Sequence, residues 1–514
     1  MNQNIKQILT MQIILAVLPV LIMYLLILNL SGNNFTYSLD DPYIHLTLAR
    51  NILHGTYGIN LGEYAAPSSS ILWPFLLAPF SILGDFFEYI PLIINFLCIA
   101  GLAYCIFLAF SEIKFIHRVV LIFLILLSLN AYGLAFTGME HNLQLLLVAM
   151  IILPFLRNQS EETTPFYQIL AIILLPLVRY EGMAISLPVI LTLYAKGDKK
   201  TAITTAMVLF GVVGGFSLFL YSHDLGFLPS SVLAKTTRNG IFSFLGSVIT
   251  NQEEYGFLII PVSIVVSLLW KKSRFWAIAV LLATFLHYTF GKNGWYGRYE
   301  TYYLLFFILI SIRVALNYSL NIFPHVLFLP LMFLGLIECT TGTPLAASNI
   351  NNEQAQTAAI ARMLGEPVAV NDLGLVSLRS GSYVLDLWGL GSIEALNYRK
   401  NFVDENWTES LLNKSPHKNK DSSNWIELLM NKKNVKYAFV YDEWFPAKPA
   451  SWIKVGMLNL LQKTIIINPH VALYATDAKA AEKLRAVLYV FSSQNKSSLV
   501  EIVINDENRR NQWQ

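Results

Sequence analysis

Charge is what this chain has least of. Only 13% of its 514 residues are Asp, Glu, Lys or Arg, against 55% hydrophobic, and the net charge is +3. That charge is spread over short loops and the tail with no dense basic stripe, so nothing points to nucleic-acid binding. Three cysteines are too few for a disulfide framework. Cys98 and Cys105 share one apolar run as packing residues, and Cys339 has no evident partner in the sequence. Zinc-type His/Cys spacing is missing, and no internal repeat is visible. The first apolar run, 8–30, is too long for a signal-peptide core and lacks a small-residue cleavage site, so it is expected to remain as a membrane anchor.

Apolar runs are abundant instead. Mean hydropathy is +0.52, and runs of near-spanning length recur up to residue 338, which predicts about 11 transmembrane helices. Short basic loops alternate along the chain: Lys6; Lys114 and Arg118; Arg157; Lys196, Lys199 and Lys200; Lys271, Lys272 and Arg274; Arg313. By the positive-inside rule these mark the cytoplasmic face, which puts the N-terminus inside and the tail outside. The opposite loops carry Asp40, Glu140, Arg179, Lys235 and Arg298, so the ionisable residues that topology does not explain gather on one external face.

After residue 340 the pattern changes. A helical segment at 353–365 is followed by short apolar runs at 367–370, 383–387, 435–441, 464–467, 472–474 and 486–491, separated by polar or helical stretches such as 425–434. This predicts two domains: residues 1–340 as a mostly α, multi-pass membrane domain with an external loop at 31–88, and residues 341–514 as a small external α/β domain. Within the second, 408–424 reads as an exposed loop.

The external loop holds the strongest motif: Asp40-Asp41-Pro42-Tyr43-Ile44, then Ala49-Arg50-Asn51-Ile52, Gly55, Tyr57-Gly58-Ile59-Asn60, Gly62-Glu63 and Ser69-Ser70-Ile71-Leu72-Trp73. Downstream come Gly138-Met139-Glu140, Val178-Arg179-Tyr180-Glu181-Gly182, Leu228-Pro229-Ser230 with Ala234-Lys235, and Arg298-Tyr299. In the tail stand Asn371-Asp372-Leu373-Gly374 and Asp386-Leu387-Trp388-Gly389-Leu390. In order and spacing these resemble a family of polyprenyl-phosphate-dependent glycosyltransferases of the GT-C fold, which includes the terminal arabinofuranosyltransferase of mycobacterial cell walls. The resemblance covers residues 35–390. It implies a polyprenyl-phosphate-linked sugar as donor, an envelope glycan or glycolipid as acceptor, inverting transfer, and a bacterial cytoplasmic membrane as the setting.

The chemistry asks for the same residue types. Moving a sugar off a lipid phosphate needs a base for the acceptor hydroxyl and cations for the phosphate as its leaving-group charge develops. Asp40 and Asp41 are the expected catalytic acids, Asp40 as the base, with Asp41 also readable as a helix cap before Pro42. Arg179, Arg298, Lys235 and Arg50 are the phosphate candidates, through a guanidinium fork or a lysine point charge; the competing reading makes each a headgroup anchor. Supporting positions are His45, Glu63, Glu140, Glu181, Trp73 and Tyr299, with Trp295 and Tyr296 as further rings for sugar or isoprene. A divalent cation is left open, with Asp40, Asp41 and Glu140 as its oxygen ligands. A transporter or flippase of a lipid-linked substrate is the alternative from another class, and a non-catalytic envelope-assembly protein is the third. Transporters place charge near the midplane and often carry inverted repeats, neither of which is found here.

Overall fold

The computed structural model describes residues 3–158, 163–230, 255–402, 424–445, 447–462, 468–495 and 497–505. The chain is mostly helical, with one mixed sheet near its C-terminus. Helices occupy the expected apolar runs, including Ile90–Ala109, His141–Leu156, Phe166–Val178, Met183–Lys196 and Thr301–Asn317. Among the described residues, three are long and apolar enough to cross a membrane: Ile5–Leu30, Leu72–Ala109 and Lys199–Ser222. Five more are apolar but shorter.

The final expected span, 322–338, is broken. It consists of Phe323–Leu327, Leu329–Met332 and the start of Leu334–Asn352. Pro324 and Pro330 each stand at a helix start, where the missing N–H does no harm but the preceding helix must end. The last of these helices runs on through residue 340, with Pro344 inside it, and leads from the helical bundle into the sheet-bearing C-terminal unit, named the outer unit below for its expected side.

The outer unit has six strands: β1 Val368–Val370, β2 Val384–Asp386, β3 Tyr437–Val440, β4 Ile453–Leu460, β5 His470–Ala475 and β6 Val500–Ile504. Their order is β2-β1-β3-β5-β4-β6, with β1 parallel to β2 and β3 and every other pair antiparallel. The run at 486–491, expected among the strand-like segments, lies inside the helix Ala478–Gln494. There Leu484, Leu488 and Phe491 face the core at helical spacing while their neighbours face solvent. Strands β4 and β6 have no counterpart among the expected runs; β4 carries Gly456 and Asn459, which weaken the apolar alternation. The expected run at 464–467 and most of the 408–424 loop lie outside the described residues.

The two units are joined by many polar contacts. Asn60 donates to the carbonyl of Val384 (2.9 Å) and accepts from its N–H (3.0 Å), so one side chain extends the edge of β2 as a strand would. Glu63 takes Lys433 (2.7 Å) and the Tyr383 hydroxyl (3.0 Å), and Arg379 takes Glu88 through Nε at 3.0 Å. The 31–88 segment is thereby pinned against the parallel end of the sheet, which positions everything below.

Candidate functional site

Asp40 and Asp41 open the helix Asp41–Ile52, and their side chains go to different partners. The carboxylate of Asp40 is buried and accepts two backbone N–H bonds from the outer unit, from Gly374 and from Leu375 (2.8 Å). These are the first N–H groups of the short helix Gly374–Arg379, which Asp40 therefore caps across the domain junction. Only glycine fits at 374, since a Cβ there would lie 2.6 Å from Oδ2 of Asp40 and nearer still to its main-chain oxygen.

Asp41, the expected cap, pairs instead with Nη2 of Arg298 at 2.8 Å, with the Asp41 side chain 36% exposed and that of Arg298 only 1%. Asp40 thus has both oxygens committed to backbone donors, whereas Asp41 keeps an accessible carboxylate. Pro42, the second residue of the helix, has no N–H to offer a cap, which leaves the neighbouring carboxylates to distant donors.

Arg298 follows a tight left-handed turn. Gly294, Trp295, Tyr296 and Gly297 all have positive φ (76, 45, 70 and 57°), and each non-glycine residue held there costs on the order of 1–3 kcal/mol. The turn is held by the buried side chain of Asn130, which donates to the carbonyl of Tyr296 (3.0 Å), and by Glu300, which accepts from the N–H of Gly294 (3.0 Å). Trp295 is left 54% exposed, while the Tyr296 hydroxyl bonds Thr343.

Arg179 is placed by a different device. The helix Phe166–Val178 ends at Arg179, whose backbone is extended (φ −154°, ψ 136°), and a 3-10 turn Tyr180–Gly182 carries the chain on. Its guanidinium reaches Glu140 (2.9 Å), Glu181 (3.1 Å) and Ser69 Oγ (3.2 Å). Glu140 is fully buried in the turn that opens at Gly138, where φ is +65° and a Cβ would meet Pro42 at 2.7 Å. The Gly138-Met139-Glu140 turn is therefore pressed against the helix start that carries the acid pair.

Both arginines meet at one ring. Their guanidinium carbons lie 4.9 Å (Arg179) and 5.1 Å (Arg298) from the centroid of Tyr299. Nε and Nη1 of Arg298, Nε of Arg179 and Oε2 of Glu140 are buried with no hydrogen-bond partner among the described residues. His45, one turn after Asp41, is buried beside them with Nδ1 3.2 Å from Ser68 Oγ. The cluster therefore joins Asp41, His45, Glu140, Arg179, Glu181, Arg298 and Tyr299 from separate stretches of chain.

Other expected residues lie elsewhere. Arg50 donates to the carbonyls of Leu378 (3.2 Å) and Ser377 (3.4 Å), closing the carboxyl end of the helix that Asp40 opens, so it holds the outer unit in place. Glu63 is spent on Tyr383 and Lys433, at the junction of the two units. Trp73 is wholly buried and offers no face for stacking. Lys235 lies outside the described residues. Among the described residues no group of three or more His, Cys, Asp and Glu side chains is arranged to hold a metal ion, and Asp40, Asp41 and Glu140 each have other partners.

Behind Asp40 stands a carboxyl cluster that the sequence did not reveal. Asp372 stands near enough to Asp40 for their charges to repel, and it accepts from Gln354 (2.8 Å) and from the Tyr441 hydroxyl (2.8 Å). Tyr441 also reaches Glu353 at 2.6 Å. Burial raises Asp40 and Asp372 above the carboxylate range, with further repulsion from neighbouring carboxylates, and burial pushes Glu353 up to about 8. The Asn371-Asp372-Leu373-Gly374 motif signals one member; Glu353 lies between two helices with no local cue.

This cluster carries a stability prediction. Between its ordinary value of 4.5 and about 8, Glu353 keeps in the folded state a proton that the unfolded chain has released. Stability therefore falls as pH rises through that window, by about 1.4 kcal/mol for each pH unit crossed. Thermal unfolding followed from pH 5 to 8.5 should show a decline on the order of 5 °C or more. In Glu353→Gln, a neutral mimic of the protonated acid, the decline should be shallower. Parallel curves for the two proteins would remove Glu353 from the cause.

A family model described as "Domain of unknown function (DUF8728)" matches residues 348–478, from the end of the helix Leu334–Asn352 to just past β5. No curated protein matches the chain. Among solved structures, the Archaeoglobus fulgidus oligosaccharyltransferase complex with zinc and sulfate is 15% identical, with TM-score 0.44 over 93% of this chain and 78% of that one. The apo form of the same enzyme gives 14% and 0.45 over 92% and 78%. The archaeal oligosaccharyltransferase AglB from Archaeoglobus fulgidus, in complex with an inhibitory peptide and a dolichol-phosphate, gives 13% and 0.44 over 93% and 78%.

Proposed function

We propose that this chain is a membrane glycosyltransferase of GT-C type, which moves a sugar from a polyprenyl-phosphate donor to a hydroxyl of an envelope glycan or glycolipid at the outer face of the cytoplasmic membrane. The observation that carries this reading is the meeting of Arg179 and Arg298 at the Tyr299 ring, beside the accessible carboxylate of Asp41. Buried guanidinium N–H groups without partners are costly unless an anion takes them. A phosphate offers several acceptor oxygens at once, and the apolar helices beneath suit the chain it is attached to.

In this reading Asp41 is the base. The acceptor oxygen attacks the anomeric carbon, the bond from that carbon to the phosphate oxygen breaks with inversion, and the electron pair leaves with the lipid phosphate. The acceptor proton passes to Asp41, and Arg179 and Arg298 stabilise the charge that appears on the departing phosphate. Arg298 serves both partners and so holds base and leaving group in one frame. Asp40 is a positioning residue: by capping the Gly374–Arg379 helix it locks Asp41 against the outer unit. Lys235 remains a candidate for the same phosphate.

The test is direct. Purified protein given a short-chain polyprenyl-phosphate sugar should release lipid phosphate when an envelope glycan extract is supplied, with the sugar recovered on the glycan. Movement of the intact donor across a vesicle membrane with no cleavage would instead establish the transporter reading.

A further inference from the structure

The loops that follow the carboxyl ends of the parallel strands form a crest facing the acid pair, and the first of them meets it directly. The loop after β1 holds Asp372 and Gly374 against Asp40. The loop after β2 is shaped by Asp386, whose carboxylate accepts the N–H groups of Trp388 (2.7 Å) and Gly391 (2.7 Å). The loop after β3 carries Tyr441 and Trp444, whose rings pack edge to face at 5.5 Å. Trp388 and Trp444 then meet at 4.3 Å, and the guanidinium carbon of Arg399 lies 4.2 Å over Trp388. Both indoles are half-buried, and Nη1 of Arg399 has no hydrogen-bond partner among the described residues.

Two rigid indoles held by backbone bonds at the mouth of a parallel-strand crest are placed where open α/β sheets bind ligands. The C–H face of a sugar ring covers an indole while its hydroxyls stay free for hydrogen bonds, and a guanidinium N–H supplies a donor for one of them. From Trp444 the path runs through Tyr441 to Asp372 and the acid pair without leaving the crest. We infer that Trp388, Trp444 and Arg399 form a saccharide subsite for the acceptor, gripping a sugar next to the one that receives the transfer. This rests on the glycosyl-transfer reading for its purpose, and on the crest alone for its ligand class.

Calorimetric titration of the full-length protein with methyl-capped arabinan, galactan and mannan oligosaccharides tests it. At least one of the three should bind the wild type. Trp444→Ala and Arg399→Gln should each weaken that binding tenfold or more, and Trp444→Phe should restore part of it. Arg399→Gln guards against a folding defect in Trp444→Ala, with the unfolding temperature measured for each. No binding of any of the three by wild type, or equal binding by wild type and Arg399→Gln, would overturn the subsite. If binding follows these variants while the wild type releases no lipid phosphate from the donor, the subsite stands and the transfer reading fails. If transfer proceeds with an acceptor KM indifferent to the variants, the reverse holds.

Discussion

Asp41→Asn is expected to lower the rate of sugar transfer by roughly 10²–10⁴-fold, the usual worth of a positioned general base, with the fold intact. Asparagine keeps the size of the side chain and one oxygen for Arg298, so the ion-pair geometry relaxes little while proton acceptance is lost. Donor KM should change only a few-fold. Asp40→Asn should behave differently: its amide would direct a donor at one of the two N–H groups that now meet a carboxylate, and the cap across the domain junction would weaken. That variant should lose stability first and activity second. Transfer assays paired with thermal unfolding separate the two, and near-normal turnover in Asp41→Asn would end its assignment as the base.

Replacing Arg298 should have the next largest effect, and the shape of the series matters more than any single value. Arg298→Ala removes the charge, the fork and the partner of Asp41 together, and a drop in kcat/KM for the donor on the order of 10³-fold follows if the phosphate depends on it. Lysine keeps the charge but not the fork, so Arg298→Lys should fall between wild type and alanine. Because Arg298 is buried beside Asp41, alanine there also leaves a carboxylate without its cation. Donor affinity measured on Asp41→Asn, with and without Arg298→Ala, isolates the phosphate contact from that loss. Equal donor affinity in the presence and absence of Arg298 would reduce it to a structural anchor of the Gly294–Gly297 turn.

Arg179 and Arg298 stood out in the sequence because basic residues on the face expected to be external run against the topological bias. Their convergence was legible as chemistry but not as geometry: one depends on a helix that stops at residue 178, the other on four consecutive left-handed residues. Arg50, equally basic and closer to the acid pair in sequence, went to backbone carbonyls because the outer unit docks a helix end against it. A motif alone offered no means of telling these three arginines apart.

Composition and periodicity were enough for the bundle of apolar helices and for strands β1, β2, β3 and β5. Those properties are local: a run of apolar residues needs burial whatever its neighbours are, and a strand shows its own alternation. The division of labour between Asp40 and Asp41 is of another kind. The two are adjacent, identical and both acidic, and nothing nearby in the chain separates them. It is the outer unit, more than 300 residues downstream, that spends one carboxylate on the N–H groups of Gly374 and Leu375. It is an arginine about 250 residues away that pairs with the other and leaves it accessible. Hydrogen bonds and ion pairs reach only a few ångströms, so which groups they join is a property of the packed chain.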